Sequence, residues 1–390
     1  MGDGRPNRSF TACAHAGNNL TTGCAPVDRD ARPRQRTPSL EAKGNNVNRS
    51  RFLGLTLAVL TASASGGIAS SAMASDANGS LTGAGSTLVA PLMSNWAQDF
   101  EARHSITVTY GAVGSGAGIS QISARTVDFG ASDAPLTPAQ AQTCNGCVQV
   151  PWGLTATAVA FNVKGVKRLN LSPAIVAKIY LGTITNWNDR GIKKLNPGVK
   201  LPNLGITPIY RSDGSGDTYA FTDLMQRVSA PWKAKVGNAT AVSFPKGVGG
   251  KGNDGVTAVL GSTNGGIAYI SAAYVIAHGL SVAALQNQAG KFVYPNLKNI
   301  SAAASVVKRV PASNEMHIVN PPKRLKLAYP LSTFTYAIVP KSSPKASSIR
   351  LFVLYAMGIG QKFGPALDFA PIPGVVYKAG VATVNRLQQG

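Results

Sequence analysis

Apolar residues recur with helical spacing at several places, and each such segment follows a short strand-like run. Leu92, Trp96 and Phe100 lie four residues apart, which predicts an amphipathic helix. Residues 106–110 alternate between apolar and polar positions as a strand does, and residues 206–210 are short, apolar and β-branched. Because strand-like and helical segments alternate along the chain, the pattern predicts an α/β fold.

Small polar residues and glycines follow the predicted strands. The loop 80–88 opens the first helix, the loop 114–118 precedes a second, and the stretch 211–218 lies between the strand 206–210 and a further helix. Asp133 follows another strand-like run. In α/β sheets, ligands bind at the carboxyl ends of strands. We therefore expect these turns to converge on one binding site.

The stretch 211–218 has the chemistry of an anion site. Gly214 and Gly216 allow a ligand to approach the backbone closely, and Ser215 and Thr218 offer hydroxyl groups. The forked guanidinium of Arg211 suits a tetrahedral oxyanion. Taken alone, the stretch is more typical of a solvated turn with an N-cap. Its convergence with the upstream turns favours the binding site.

The N-terminal part of the chain has the order of an export signal. Residues 1–48 are polar, residues 49–51 are basic, residues 52–60 are apolar, and residues 72–74 form a small-residue cleavage site. The apolar run is too short to span a bilayer as a stable helix. We expect cleavage after Ala74 and a periplasmic or extracellular protein.

The export signal is preceded by 48 residues, for which two explanations remain open. Either translation begins later, with Val47 as the initiator, or the signal has an unusually long n-region. The remainder, residues 75–390, is long enough for two domains.

The formal net charge of the chain is +22, which predicts attraction to anionic surfaces and solutes. Basic residues form short clusters, as in 164–168 and 323–326, without interleaved aromatic residues. Export and this distribution argue against nucleic acid as a partner.

Cys144 and Cys147 are the only cysteines after the export signal. In an exported protein a local disulfide is the favoured state, and redox catalysis or half of a zinc site are the alternatives. No second cysteine pair exists, and His104, His278 and His317 are scattered. We expect a structural disulfide, no metal and no cofactor.

Five motifs lie in order along the chain, at 82–87, 114–115, 127–136, 211–216 and 249–255. They resemble the motifs of the PstS-type periplasmic phosphate-binding proteins of the phosphate-specific ABC transport system, over nearly all of residues 80–375. The resemblance implies a two-lobed type II binding protein, with mixed sheets flanked by helices and a ligand cleft between the lobes. It places lobe 1 at 75–155 plus 306–390, and lobe 2 at 156–305.

The resemblance also implies the phosphate contacts. They fall on Thr87, the Leu88 N–H, Ser115, Asp133, Arg211, Ser215 and the Gly216 N–H. At the next position the family has Thr, whereas this chain has Asp217, whose carboxylate cannot donate a hydrogen bond. Either the Asp217 N–H contacts phosphate or Thr218 supplies the hydroxyl.

The acceptor in this set is Asp133. Phosphate near neutral pH keeps at least one proton, which a carboxylate can accept as a hydrogen bond, whereas fully deprotonated sulfate would face a repulsive charge. The alternative is that Asp133 caps the helix that begins at Thr137-Pro138.

The glycine-rich loop 247–255 either shapes the cleft or contacts the ligand. It lacks the Lys-Ser/Thr ending of a nucleotide-binding P-loop.

These features predict a monomeric, non-catalytic protein that captures inorganic phosphate and delivers it to the membrane permease of an ABC transporter. The alternatives are a secreted phosphatase or other phosphoryl-transfer enzyme, and a binder of another oxyanion. An enzyme would need a nucleophile with a base, or metal ligands, and neither Ser115 nor Ser215 has a histidine nearby in sequence.

Overall fold

The structure is a computed structural model that describes residues 79–390. The predictions of a later translation start, an export signal and cleavage after Ala74 lie outside the described residues.

Strands and helices alternate through this part of the chain. The strands are β1 Ser80–Gly85, β2 Thr107–Gly111, β3 Phe129–Ser132, β4 Cys147–Asn162, β5 Asn170–Leu171, β6 Thr207–Arg211, β7 Val248–Gly250, β8 Gly266–Ser271, β9 Ala284–Gln286, β10 Phe292–Val293, β11 Ser332–Pro340, β12 Ser342–Ser343 and β13 Gln388–Gln389. The helices are α1 Ala90–His104, α2 Ser115–Ser123, α3 Pro138–Thr143, α4 Pro173–Tyr180, α5 Arg190–Leu195, α6 Gly216–Val228, α7 Ala230–Lys235, α8 Gly252–Ser262, α9 Ala272–His278, α10 Leu297–Ala304, α11 Ala346–Met357 and α12 Gly374–Val384. The predicted α/β class is confirmed.

Eight strands form one continuous mixed sheet in the order β2-β1-β3-β11-β4-β8-β6-β7. β1 pairs in parallel with β2 and β3, and β6 pairs in parallel with β7 and β8. Antiparallel pairings of β11 and β4 connect these two parallel groups. The carboxyl ends of β1, β3 and β6 are each followed by a turn into a helix, as the sequence predicted.

The long strand β4 joins the two halves of the sheet. Up to Ala156 it pairs with β11, and from Thr157 it pairs with β8. The register with β11 shifts near Pro151, so that β4 carries one extra residue there. Proline cannot donate to a β-ladder, and a bulge accommodates it. The apolar segment from Pro151, which we expected to cross between lobes, thus passes between two sheet partners.

Two large apolar clusters flank the sheet. On the side of α1, Trp96 is fully buried, stacks edge-on against Trp152 with ring centroids 5.4 Å apart, and donates to Gly360 O at 2.8 Å. On the side of α6, Phe221 stacks on Tyr269 at 4.4 Å. The predicted apolar faces of both helices therefore face the core, and their N-termini are left to face the sheet edge.

Some elements differ from the sequence predictions. α2 begins at Ser115, so the glycines after it belong to the first helical turn and not to a preceding loop. The first residues of the stretch 300–330, which we expected to be irregular, lie in α10. The central strand β8 was not predicted.

Candidate functional site

The predicted site residues lie together at the carboxyl ends of β1, β3 and β6. All of them are buried, and they are Thr87, Leu88, Ser115, Asp133, Arg211, Ser215, Gly216, Asp217 and Thr218. They flank the N-terminal turns of α1, α2 and α6, where backbone N–H groups lack partners within the helix.

Asp133 lies directly after β3 and faces two serine hydroxyls. Ser86 Oγ is 2.7 and 2.6 Å from its two carboxylate oxygens, and Ser115 Oγ is 3.4 Å from one of them. Burial, together with the charge of Asp217, raises the pKa of Asp133 to about 7, although hydrogen bonds from Ser86 oppose this. Asp133 does not cap α3, because Thr137 forms that capping box with Gln140.

Ser115 joins the two sides of the sheet. Its Oγ accepts a hydrogen bond from the Gly216 N–H at 3.1 Å and another from the Asp133 N–H at 3.3 Å. Gly216 must be a glycine here, since an added Cβ would lie 2.4 Å from Asp133 Cβ. Nearby, Gly116 donates its N–H to Gly214 O at 2.9 Å. The three predicted turns are therefore in direct contact.

Arg211 ends β6 and each of its three guanidinium nitrogens faces a carboxylate. Nε and Nη2 lie 2.7 and 2.6 Å from the two oxygens of Asp213, and Nη1 lies 3.2 Å from Asp217 Oδ2. Burial opposes the charge of Arg211, but these carboxylates raise the pKa of the guanidinium above its ordinary value. The bidentate contact with Asp213 holds the fork in one orientation.

The Asp217 carboxylate is fully buried and accepts hydrogen bonds from three side chains. Thr157 Oγ1 lies 2.6 Å from Oδ1, and Asn253 Nδ2 lies 2.9 Å from Oδ2, beside the Arg211 contact. Burial raises the pKa of Asp217, and the charge of Arg211 opposes that shift. A carboxylate stands here where the family motif has a hydroxyl, and this protein surrounds it with donors.

Ser215 and Thr218 also have protein partners. Ser215 is the N-cap of α6, and its Oγ accepts from the Thr218 N–H at 3.3 Å. Thr218 Oγ1 lies 2.8 Å from the Tyr269 hydroxyl, which accepts from the Arg211 N–H. The simple interpretation of the stretch 211–218 as an N-cap is therefore correct for Ser215, and it coexists with the cluster.

A domain model of the PBP superfamily matches residues 70–358. The phosphate-binding protein PstS of Xylella fastidiosa strain Temecula1 is 36% identical over 298 residues, which cover 75% of this chain and 81% of that protein. PstS of Haemophilus influenzae is 36% identical over 302 residues, covering 76% of this chain and 90% of that protein.

The chain belongs to the PstS family of phosphate-binding proteins.

Solved structures support the same fold. A phosphate-binding protein of Stenotrophomonas maltophilia superposes with a TM-score of 0.63 at 18% identity, covering 78% of this chain and 93% of that one. A high affinity periplasmic phosphate-binding protein, PfluDING, gives 0.61 at 22% identity, covering 77% and 92%. The PstS resemblance and the two-lobed type II fold expected from the motifs are confirmed.

Three residues at the PstS-like cluster were not singled out in the sequence. Ser86 contacts Asp133, Asp213 holds Arg211, and Asn253 joins the cluster from α8. Ser86 and Asp213 lie within recognised motifs beside predicted contacts, so their positions gave a signal. Asn253 lies in the loop 247–255, whose role was left open, and it reaches Thr87 and Asp217.

Cys144 and Cys147 form a disulfide between α3 and β4. Arg125 lies against the turn that they close, since its guanidinium donates to Cys144 O at 2.9 Å and Asn145 O at 3.0 Å. Among residues 79–390 there is no group of three or more His, Cys, Asp or Glu side chains that could hold a metal ion. No helix among those described is long and apolar enough to cross a membrane.

Proposed function

We propose that this protein is exported, captures inorganic phosphate between two lobes and delivers it to the permease of a phosphate ABC transporter. Its membership of the PstS family and the names of its relatives support this function. The proposed contacts are Thr87, the Leu88 N–H, Ser115, Asp133, Arg211, Ser215 and the Gly216 N–H, with the Asp217 N–H or the Thr218 hydroxyl completing the set.

The observation that carries the proposal is the position of Asp133 among donors. Hydroxyls, helix N-terminal N–H groups and one guanidinium suit any tetrahedral oxyanion. A buried carboxylate in their midst suits only an oxyanion that brings a proton. Phosphate and arsenate do so near neutral pH and sulfate does not, so Asp133 would discriminate between them.

We propose the lobe boundaries 75–155 plus 306–390 and 156–305. The change of β4 partners between Ala156 and Thr157 supports this division. Thr87, Ser115 and Asp133 then belong to one lobe, and Arg211 with the α6 N-terminus belongs to the other. A ligand that contacts both sets would stabilise the closed arrangement of the lobes.

We propose no catalytic role for this site. The hydrogen-bond partners of Ser115 Oγ in the described structure are Asp133 and Gly216, and that of Ser215 Oγ is the Thr218 N–H. Neither hydroxyl is paired with a histidine that could act as its base. Release of p-nitrophenol from p-nitrophenyl phosphate by the purified protein would contradict this assignment.

Calorimetric titration tests the function. Phosphate and arsenate should bind in a ratio of one to one, and sulfate should bind far more weakly at the same pH and ionic strength. Equal affinity for sulfate would overturn the role of Asp133, and absence of phosphate binding would overturn the function itself.

A further inference from the structure

Asp217 adds a negative charge to the cluster that the family motif does not contain. Around it lie one cation, Arg211, and two further carboxylates, Asp213 and Asp133. A phosphate dianion would therefore enter a buried site in which three carboxylates face a single guanidinium. Burying uncompensated charge is costly, and titratable groups take up protons to avoid it.

The remaining titratable groups near Asp217 cannot supply a positive charge. From β8 and α9, the phenols of Tyr269 and Tyr274 face this region, and burial raises the pKa of both above the ordinary value, so both are neutral. Asp254 of α8 lies 3.3 Å from the Tyr274 hydroxyl and adds another carboxylate. Compensation must therefore come from a proton.

The contacts of Arg211 point to where the proton would act. Its Nη1 lies 3.2 Å from Asp217 Oδ2, while Nε and Nη2 are held by Asp213. A protonated Asp217 would attract Nη1 less strongly, so the guanidinium could turn one edge towards phosphate. Thr157 and Asn253 would still hold the carboxyl group in place.

We propose that Asp217 makes phosphate binding proton-linked, so that the complex holds about one more proton than free protein and free phosphate together. The proton is shared among Asp217, Asp133 and the bound phosphate. This inference rests on the proposed function and specifies the form of phosphate that the site prefers, which is the more protonated one. Asp217 is thus a specificity-determining residue.

The test is calorimetric titration with inorganic phosphate between about pH 6 and pH 9, in pairs of buffers that differ in ionisation enthalpy. The unmodified protein should take up about one proton more per phosphate than Asp217→Asn does. Above neutral pH its affinity should fall by about tenfold more per pH unit than that of the variant. The amide keeps the size of the side chain and removes its charge.

Asp223→Asn is the matched control, because Asp223 is a buried carboxylate of the same helix that pairs with Arg227 and not with the cluster. It should retain the proton uptake of the unmodified protein. Equal uptake by the unmodified protein and Asp217→Asn would overturn this inference and leave the proposed function intact, whereas absence of phosphate binding by the unmodified protein would overturn the function. If Asp217→Asn fails to fold, Asp217→Thr and the unmodified protein alone decide, and zero uptake by the latter is contrary to the proposal.

Discussion

Asn253 Nδ2 donates a hydrogen bond to Thr87 Oγ1 at 2.8 Å and so joins the first turn of α8 to the loop after β1. The same nitrogen lies 2.9 Å from Asp217 Oδ2, and Asn253 Oδ1 accepts from the Ser271 N–H at 3.0 Å. One fully buried amide therefore connects both proposed lobes to the cluster.

Replacing Asn253 with Ala should weaken phosphate binding and destabilise the fold. Thr87 would lose its fixed orientation and Asp217 would lose a donor, and a buried polar group left without its partner costs about 1–3 kcal/mol. We expect roughly a tenfold or greater rise in Kd for phosphate and a similar loss in the free energy of unfolding. Calorimetry and urea denaturation measure the two, with exposed Asn385→Ala as the control. An unchanged Kd would remove Asn253 from the site.

Arg211→Lys should weaken phosphate binding by roughly 10- to 100-fold, because an ammonium cannot form the bidentate contact with Asp213 and also reach a ligand. The control is Arg227→Lys, since Arg227 is more exposed and pairs with Asp223 outside the cluster. Titration of both variants with phosphate makes the comparison. Equal dissociation constants for the two would place Arg211 outside the binding site.

Asp133 should lower the stability of the unliganded protein as the pH rises. Its pKa is about 7 in the folded state and close to the model value of 3.8 when unfolded, so between these values the folded protein binds more protons. The free energy of unfolding should therefore fall across this window, by up to about 4 kcal/mol from this group. Asp133→Asn should remove that component in phosphate-free denaturation curves. The same slope in both proteins would contradict the raised pKa.

Local sequence explains how much of this structure could be predicted. The strand β6, its turn and α6 were predicted within a residue or two at their N-terminal ends, because periodicity, glycines and the Ser215 cap all agree. The strand β8 was missed because residues 266–278 are almost continuously apolar, and periodicity does not divide the strand from α9.

The partners of Asp217 could not be predicted from the sequence either. An acidic residue in the first turn of a helix is ordinarily explained by the helix dipole. Its contacts with Thr157 and Asn253 span 60 and 36 positions of the chain, and only the sheet topology brings them together.

The disulfide between Cys144 and Cys147 should contribute modestly to stability, since it closes a very short loop. Loop-closure entropy for so few residues amounts to about 2 kcal/mol. The double variant Cys144→Ser with Cys147→Ser should lose about this much free energy of unfolding and keep its phosphate affinity. Mass spectrometry of the exported, non-reduced protein should find no alkylatable thiol and should find Ser75 at its N-terminus. Two alkylated cysteines would contradict the disulfide.

Phosphate should compact the protein and raise its melting temperature. The proposed contacts come from both sides of the β4 crossing, with Thr87, Ser115 and Asp133 on one side and Arg211 and Ser215 on the other. Because neither side holds the full set, phosphate should favour the closed state, and binding to that state alone stabilises the fold by about 2.7 kcal/mol at a hundredfold excess over Kd. Small-angle scattering and thermal denaturation measure the two effects, with sodium chloride at matched ionic strength as the control. If phosphate binds tightly and the radius of gyration does not change, the site either lies within one lobe or is closed before the ligand arrives, and the clamp model is wrong.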